Sequence, residues 1–180
     1  MDTSDDAGHR GLDVLTGMLR VLGIVNTRSD SVISYGAIEV GPGDARAAIV
    51  ATLRGRSGTA TDPAAWSAAV GEPLEDGAWL DALRAMVGYM GLTYPFDEPE
   101  EGEEVDPRDA DLRVGRNAIA LGNLVTVIDR QLAEAVGRPR VVRPATVTTP
   151  HVARRHFLTV TGYLVEGPAG RILFDLGWSD

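Results

Sequence analysis

Three side chains in the C-terminal part of the chain could exchange protons: His156, Tyr163 and Asp175. The imidazole of a histidine titrates near neutral pH, so His156 could act as a general base. A distant carboxylate such as Asp175 could work with that imidazole, and Tyr163 is the third candidate. These residues are our candidates for acid–base catalysis. The alternative interpretation is that His156 is a surface or hydrogen-bonded structural histidine.

A second group of candidates is basic. Residues 138–155 contain several arginines, which would form a cationic surface if they lay on two neighbouring strands. We interpret four of them as ligand-binding residues: Arg140, Arg143, Arg154 and Arg155. A nucleic acid is disfavoured as the partner because only 6% of the residues are aromatic and the net charge of −9 repels phosphates. The surface therefore predicts a protein partner or an anionic small molecule.

Residue types that the sequence lacks exclude several chemistries. There is no cysteine, which removes disulfides, thiolate nucleophiles and cysteine metal ligands. All 17 basic residues are arginine, so a lysine Schiff base and a P-loop lysine are excluded as well. His151 and His156 would point to opposite faces of a strand, which does not suit a shared metal ion. We therefore predict no metal and no cofactor.

Two glycine-containing segments resemble functional motifs but depart from them. Residues 41–43 stand between a strand and a helix, as a phosphate-binding loop does. However, Arg46 occupies the position where the dinucleotide fingerprint needs a small residue, and Pro42 has no N–H to offer a phosphate. Around Ser57, the second glycine comes one residue too early for a nucleophile elbow. We interpret the two segments as a turn and a loop.

Size and composition are those of one ordinary globular domain. The chain has 180 residues, of which 44% are hydrophobic and 24% are charged, so it can bury a core. No apolar run is long enough to cross a membrane, and we expect no membrane partner. The acidic start of the sequence lacks the features of a secretory signal. We expect a single cytoplasmic domain spanning residues 1–180.

The negative charge is concentrated in one segment. Residues 93–111 carry nine acidic groups and one arginine, whereas residues 112–180 carry five acidic groups and nine arginines. Like charges repel and the segment has almost nothing apolar to bury, so we expect a flexible acidic loop at about residues 97–111. This loop could fold over the arginine surface, compete with an anionic ligand for it, or remain solvated.

Apolar periodicity defines the elements that must position these candidates. It predicts helices at residues 12–23, 44–53, 63–70, 77–90 and 112–136, and strands at residues 32–40 and 141–149. The second of these strands contains Pro144 and should therefore lie at a sheet edge. Because strands cluster near the C-terminus, we expect an α+β fold in which a small, mostly antiparallel sheet of the C-terminal strands packs against three to four helices.

The last part of the sequence predicts a β-hairpin. Apolar and polar residues alternate over residues 157–165, as in a half-buried strand, and residues 171–176 are apolar again. Residues 166–170 between them have turn composition, so we expect a longer, glycine-containing loop.

Residues 163–178 resemble the opening hairpin of metallo-β-lactamase-fold hydrolases. This segment reads Tyr-Leu-Val-Glu-Gly-Pro-Ala-Gly-Arg-Ile-Leu-Phe-Asp-Leu-Gly-Trp and covers about a tenth of the chain. The metal-binding His-x-His-x-Asp-His motif of that family does not occur in the sequence, so zinc-dependent hydrolysis is not predicted.

Three functional hypotheses follow. The first is a non-catalytic binding or accessory protein that recognises a protein partner or an anionic small molecule through its arginine-rich strands. The second is a small cofactor-independent enzyme, such as an isomerase, cyclase or lyase, that uses His156 and Asp175 in an apolar pocket. The third is a structural subunit of a larger assembly, including a homo-oligomer. The first is favoured because charge is segregated along the chain and catalytic side chains are few.

Overall fold

One antiparallel sheet is the centre of the computed structural model of the protein. The structure describes residues 12–22, 32–57, 63–75, 77–87, 107–148 and 159–179. The strands within these residues are β1 (Val32–Glu39), β2 (Ser67–Val70), β3 (Val141–Thr148), β4 (Thr159–Gly167) and β5 (Gly170–Ser179). Their order across the sheet is β1-β5-β4-β3-β2, and every neighbouring pair is antiparallel.

Helices cover the sheet on both faces. The helices within the described residues are α1 (residues 12–22), α2 (Ala45–Ser57), α3 (Ala78–Val87) and α4 (Pro107–Val136). Helices α1, α3 and α4 pack on one face and α2 packs on the other. The predicted α+β class, with a sheet of C-terminal strands packed against helices, is confirmed. No helix among these described ones combines the length and apolarity that crossing a membrane requires.

The larger core lies between the sheet and the longest helix, α4. Its buried apolar residues follow one another at intervals of three or four, which places them in a single stripe: Leu121, Val125, Ile128, Leu132 and Val136. This stripe packs against side chains of β4 and β5 that include Val165, Ile172 and the fully buried Phe174. Helices α1 and α3 complete the cluster with their own apolar sides.

A second, smaller core lies under α2. This helix begins where the Asp44 side chain accepts a hydrogen bond from the Ala47 N–H at 2.9 Å, as an N-cap does. Its buried Ile49 packs against Val147, Leu164 and Leu173 of the three central strands. The hairpin strands are therefore covered on both faces. For residues 161–165, whose burial is described, the expectation of a half-buried strand is wrong in this respect, while residues 157 and 158 lie outside the described residues.

The prediction of a short helix at residues 63–70 is also wrong. Only Pro63–Ala65 forms a turn of 3-10 helix, and Ser67–Val70 is the edge strand β2. Pairing with β3 supplies the backbone hydrogen bonds of this segment, and it places Ala68 and Val70 against the smaller core. These tertiary contacts override the helix propensity of its alanines.

Pro144 does not mark a sheet edge, because β3 lies between β4 and β2. Its carbonyl accepts a hydrogen bond from the Gly71 N–H at 2.9 Å, on the side of β2. The N–H and C=O of one strand residue point to the same side, so the donor that proline lacks also falls on the β2 side. Pro144 lies just beyond the last residue pair between β2 and β3, Val70 with Ala145. The hydrogen bonds between β3 and β4 are therefore unaffected by the missing N–H.

The β4–β5 hairpin has a tighter turn than the longer loop we expected. Gly167 pairs with Gly170, which leaves a loop of Pro168 and Ala169. The turn is fastened to the end of α4, since the Ala169 N–H donates to the Val136 carbonyl at 2.8 Å. Gly137, the residue after Val136, ends helix α4 and has a φ of +81°.

The acidic segment can be placed only in part. Residues 97–106 lie outside the described residues, and so does the expectation that they form a flexible loop. Helix α4 begins at Pro107, five residues before the predicted start at residue 112, so the expectation of a loop is wrong for residues 107–111.

Replacing Gly167 with alanine should loosen the contact between the hairpin turn and α4. A Cβ at this position would lie 2.3 Å from the Val136 carbonyl oxygen, so the turn or the helix end must shift. We expect Gly167→Ala to lower the free energy of unfolding by about 1–3 kcal/mol, as measured by urea unfolding followed by circular dichroism. The control is Gly41→Ala, whose added Cβ meets no atom within 4 Å. Equal stability of the two variants would contradict this account.

Candidate functional site

A groove of about 440 Å³, partly open to solvent, lies where the β2–α3 connection passes the first residues of β3. Most of its lining is apolar, and its two charged residues are Glu75 and Arg140. The lining comprises Pro73, Leu74, Glu75, Gly77, Trp79, Leu80, Arg140, Val141 and Val142.

Backbone hydrogen bonds hold the connection in place as one wall of the groove. The Leu74 N–H donates to the Val142 carbonyl at 2.8 Å, in addition to the bond from Gly71 to Pro144. At the start of α3, the Ala78 N–H donates to the Glu75 carbonyl at 3.1 Å. The wall thus continues the sheet beyond β2, and its shape does not depend on side chains alone.

The carboxylate of Asp129 in α4 binds two of the lining residues, Trp79 and Arg140. Its Oδ1 accepts a hydrogen bond from Trp79 Nε1 at 2.6 Å and another from Arg140 Nη2. Arg140 Nη1 also donates to the main-chain oxygen of Asp129 at 3.3 Å. Both charged side chains are only 15% exposed. Arg140 is therefore fixed at two points rather than free to sample many rotamers.

A further arginine makes this cluster net positive. Arg138 Nη2 lies 4.0 Å from Asp129 Oδ2, at the outer side of the same carboxylate. Two arginines thus share one aspartate, which leaves the three side chains with a net charge of +1. Arg138 is well exposed, so its contribution is screened by solvent.

Tyr163 lies on the same face of the sheet as Asp129, Arg138 and Arg140. It packs against aromatic side chains there. Its ring meets the ring of Trp79 edge-on, with centroids 5.3 Å apart and an interplanar angle of 74°. Trp79 also meets Phe174 edge-on at 6.5 Å. Burial raises the pKa of the Tyr163 phenol above its ordinary value. These contacts hold Trp79, and through it Asp129, in a fixed position.

Asp175 lies on the opposite face of the sheet, under α2. It is a buried carboxylate on β5, and its register partners on the neighbouring strands are both glycines, Gly36 and Gly162. A Cβ on Gly36 would lie 2.6 Å from Asp175 Oδ2, so the carboxylate occupies the space that the glycine leaves. Among the described residues, this oxygen has no hydrogen-bond partner.

Burial dominates the protonation of Asp175. It raises the pKa of the carboxyl group from 3.8 to about 6, and the positive charge of Arg56 on α2 opposes the shift only in part. A carboxyl group with this pKa exists in both protonation states near neutral pH, which is what general acid–base chemistry needs.

The structure separates the predicted acid–base residues. Tyr163 and Asp175 lie on opposite faces of the sheet, since Tyr163 packs with the α3 and α4 side and Asp175 lies with Leu173 on the α2 side. His156 lies outside the described residues. Of the three, Asp175 is a buried carboxyl group with a raised pKa, and both its catalytic role and its partnership with His156 remain predictions.

The predicted arginine surface is divided in the same way. Arg143 lies on the α2 face, where its Nε is 3.3 Å from Glu166 Oε2, whereas Arg140 binds Asp129 on the other face. Glu166 is also within 3.7 Å of Arg171. Arg154 and Arg155 lie outside the described residues. Arg140 and Arg143 are thus not neighbours on one surface, and a ligand-binding role for each remains a prediction.

Sequence reasoning missed Asp129 and Glu75 as site residues, and it assigned Trp79 only to the core. Asp129 follows directly after Ile128 in the apolar stripe of α4, which is an unusual position for a carboxylate, but its partners are far away in sequence. Trp79 is 50 residues away and Arg140 is 11 residues away. Nothing in the local pattern identifies such partners.

Within the described part of the chain, no group of three or more histidine, aspartate or glutamate side chains is arranged to hold a metal ion. No protein-family model, curated protein or solved structure matches this chain. The groove and Asp175 are the two candidate sites in the described part of the chain.

The raised pKa of Asp175 predicts a pH-dependent effect of Asp175→Asn. Between pH 3.8 and about 6, the folded chain retains a proton that the unfolded chain has lost. The stability linked to this group is therefore fully present below the lower value and is lost as the pH rises through about 6. Relative to wild type, the uncharged variant should gain about 2 kcal/mol in free energy of unfolding between roughly pH 4 and pH 7.5.

Urea unfolding of both proteins across this pH range measures the difference. The matched control is Asp81→Asn, which removes the same kind of side chain from an exposed position on α3. A difference between Asp175→Asn and wild type that does not change with pH would show that Asp175 is not a buried carboxyl group with a raised pKa.

Proposed function

We propose that this chain is a binding protein that holds a small organic anion in the groove beside Arg140. The single observation that carries the proposal is the guanidinium of Arg140 in the wall of a mostly apolar groove, where Asp129 fixes its position. The volume of about 440 Å³ is within the range of roughly 300–1,000 Å³ that is common for small-molecule sites. A concave site of this size favours a small molecule over the flatter surface of a protein partner.

The contacts of Arg140 support an anion as the ligand. Asp129 takes up two hydrogen bonds of the guanidinium, and the group carries more N–H donors than these two. A bound carboxylate would receive charge-assisted hydrogen bonds from a donor that is already oriented, so little side-chain entropy is lost on binding. Arg138 adds little to this attraction, because its charge is screened by solvent, so the proposal depends on Arg140.

Replacing Arg140 should therefore abolish or strongly weaken anion binding. Titration calorimetry at low salt with acetate, octanoate and suberate tests this, and at least one of the three should bind to the wild type. We expect Arg140→Gln to lose about 1.5–3 kcal/mol of binding free energy, roughly a 10- to 100-fold weaker affinity. Arg140→Lys keeps the charge but not the planar fork, and it should give an intermediate affinity.

Arg130→Gln is the matched control. It removes the same charge from α4, but Arg130 pairs with Glu134 and does not line the groove. Circular dichroism and urea unfolding verify that each variant is folded. If Arg140→Gln does not fold, the affinity of the more conservative Arg140→Lys still tests the role of Arg140. Absence of binding by all three anions, or equal weakening in the Arg130 control, would refute the proposal.

Asp175 supports a second candidate function, a cofactor-independent enzyme that moves a proton. The specific observation is a buried carboxylate whose Oδ2 has no partner among the described residues. Because burial raises the pKa of this carboxyl group, its ionised form at neutral pH lowers the stability of the fold, a cost that an apolar residue would avoid. A group of this kind suits proton abstraction near neutral pH, and perturbed carboxylates of this sort concentrate at functional sites.

Deuterium exchange tests the enzymatic function across many compounds at once. Incubating the protein with a panel of small ketones and hydroxy acids in D2O, followed by proton NMR, detects abstraction of a proton from carbon. Wild-type protein should catalyse exchange in at least one compound, and Asp175→Asn should slow it by about 100-fold or more while remaining folded. Absence of exchange with wild type, or equal exchange by the variant, would refute the enzymatic function.

A further inference from the structure

The side chains that line the groove indicate which class of anion it would bind. This inference rests on the proposed function. Two of its lining residues, Leu80 and Val141, are large apolar side chains that are each 42% exposed. Leu74 and Val142 line the groove beside them. A ligand with an apolar body would remove these side chains from water, whereas a small inorganic anion would leave them exposed.

Glu75 gives the groove a second charge of opposite sign. It lines the same cavity as Arg140, and among the described residues it takes part in no ion pair. A ligand whose carboxylate binds Arg140 would bring any further negative charge into a space that Glu75 already makes negative. Glu75 is exposed, so this repulsion is of the modest, salt-screened kind found between charges at a protein surface.

We propose that the groove binds monocarboxylates with an apolar body, and that Glu75 determines this specificity by excluding dicarboxylates. The carboxylate of the ligand lies against Arg140, and its apolar body covers Leu80 and Val141. Glu75 does not contact the bound carboxylate and contributes only to the choice between ligands.

Octanoate and suberate are a matched pair of probes, because they have the same number of carbons and differ in whether the far end is a methyl group or a second carboxylate. Wild-type protein at low salt should bind octanoate roughly tenfold or more tightly than either suberate or acetate in titration calorimetry. Glu75→Gln should bind suberate at least about threefold more tightly than wild type does, and its affinity for octanoate should change much less.

The control for total charge is Glu134→Gln, which removes the same charge from an exposed site on α4 outside the groove. It should leave the preference for octanoate over suberate unchanged. The selectivity change in Glu75→Gln should also diminish at high salt, because screening weakens the repulsion.

Failure of this inference and failure of the proposed function give different results. If octanoate binds no more tightly than acetate, the assignment of an apolar body is wrong. If Glu75→Gln leaves the preference between octanoate and suberate unchanged, the role of Glu75 is wrong. In both cases, binding that still requires Arg140 preserves the proposed function. If no anion binds in an Arg140-dependent manner, both proposals fail together.

Discussion

The packing of α4 across β4 and β5 is the contact on which the other features of this structure depend. The stripe from Leu121 to Val136 covers Val165, Ile172 and Phe174, and this burial fixes both the axis and the rotation of the helix. Once the stripe faces the sheet, Asp129 is directed towards α3 and the start of β3. The same packing brings the C-terminal end of α4 to the hairpin turn, where Gly137 and Ala169 complete the connection.

Two carboxylates with little exposure to solvent differ in how well their negative charges are compensated. Asp129 receives hydrogen bonds from Trp79 and Arg140, and Arg138 lies near its other oxygen, so its charge is well compensated. Among the described residues, the charge of Arg56 opposes the desolvation of Asp175 only in part, and the pKa of this carboxyl group rises to about 6. The first arrangement is typical of a scaffold that orients another group. The second leaves a buried carboxyl group poorly compensated, and desolvation therefore raises its pKa.

The two positions are independent sites, because the sheet separates them. The groove opens beside α3 on one face, while Asp175 lies under α2 on the other. Arg140 and Arg143 show the same separation, since each binds a carboxylate on its own face of β3. Substitutions at the two positions should have close to additive effects on stability, as expected for distant residues that share no partner.

Local sequence determined the helices, most of the strands and the class of the fold. The apolar stripe of α4, the cap of α2 at Asp44 and the hairpin of β4 and β5 all depend on short-range periodicity or on turn chemistry, which is written in neighbouring residues. The sequence also indicates Asp175 as a candidate acid–base residue, but it does not indicate that this side chain is buried. The tertiary structure alone decided that residues 67–70 form an edge strand, that Pro144 lies inside the sheet, and that Arg140 pairs with Asp129 beside a groove. These features arise from contacts between residues far apart in the chain. The periodicity of one segment specifies that it has a face to bury, but not which distant segment will cover it.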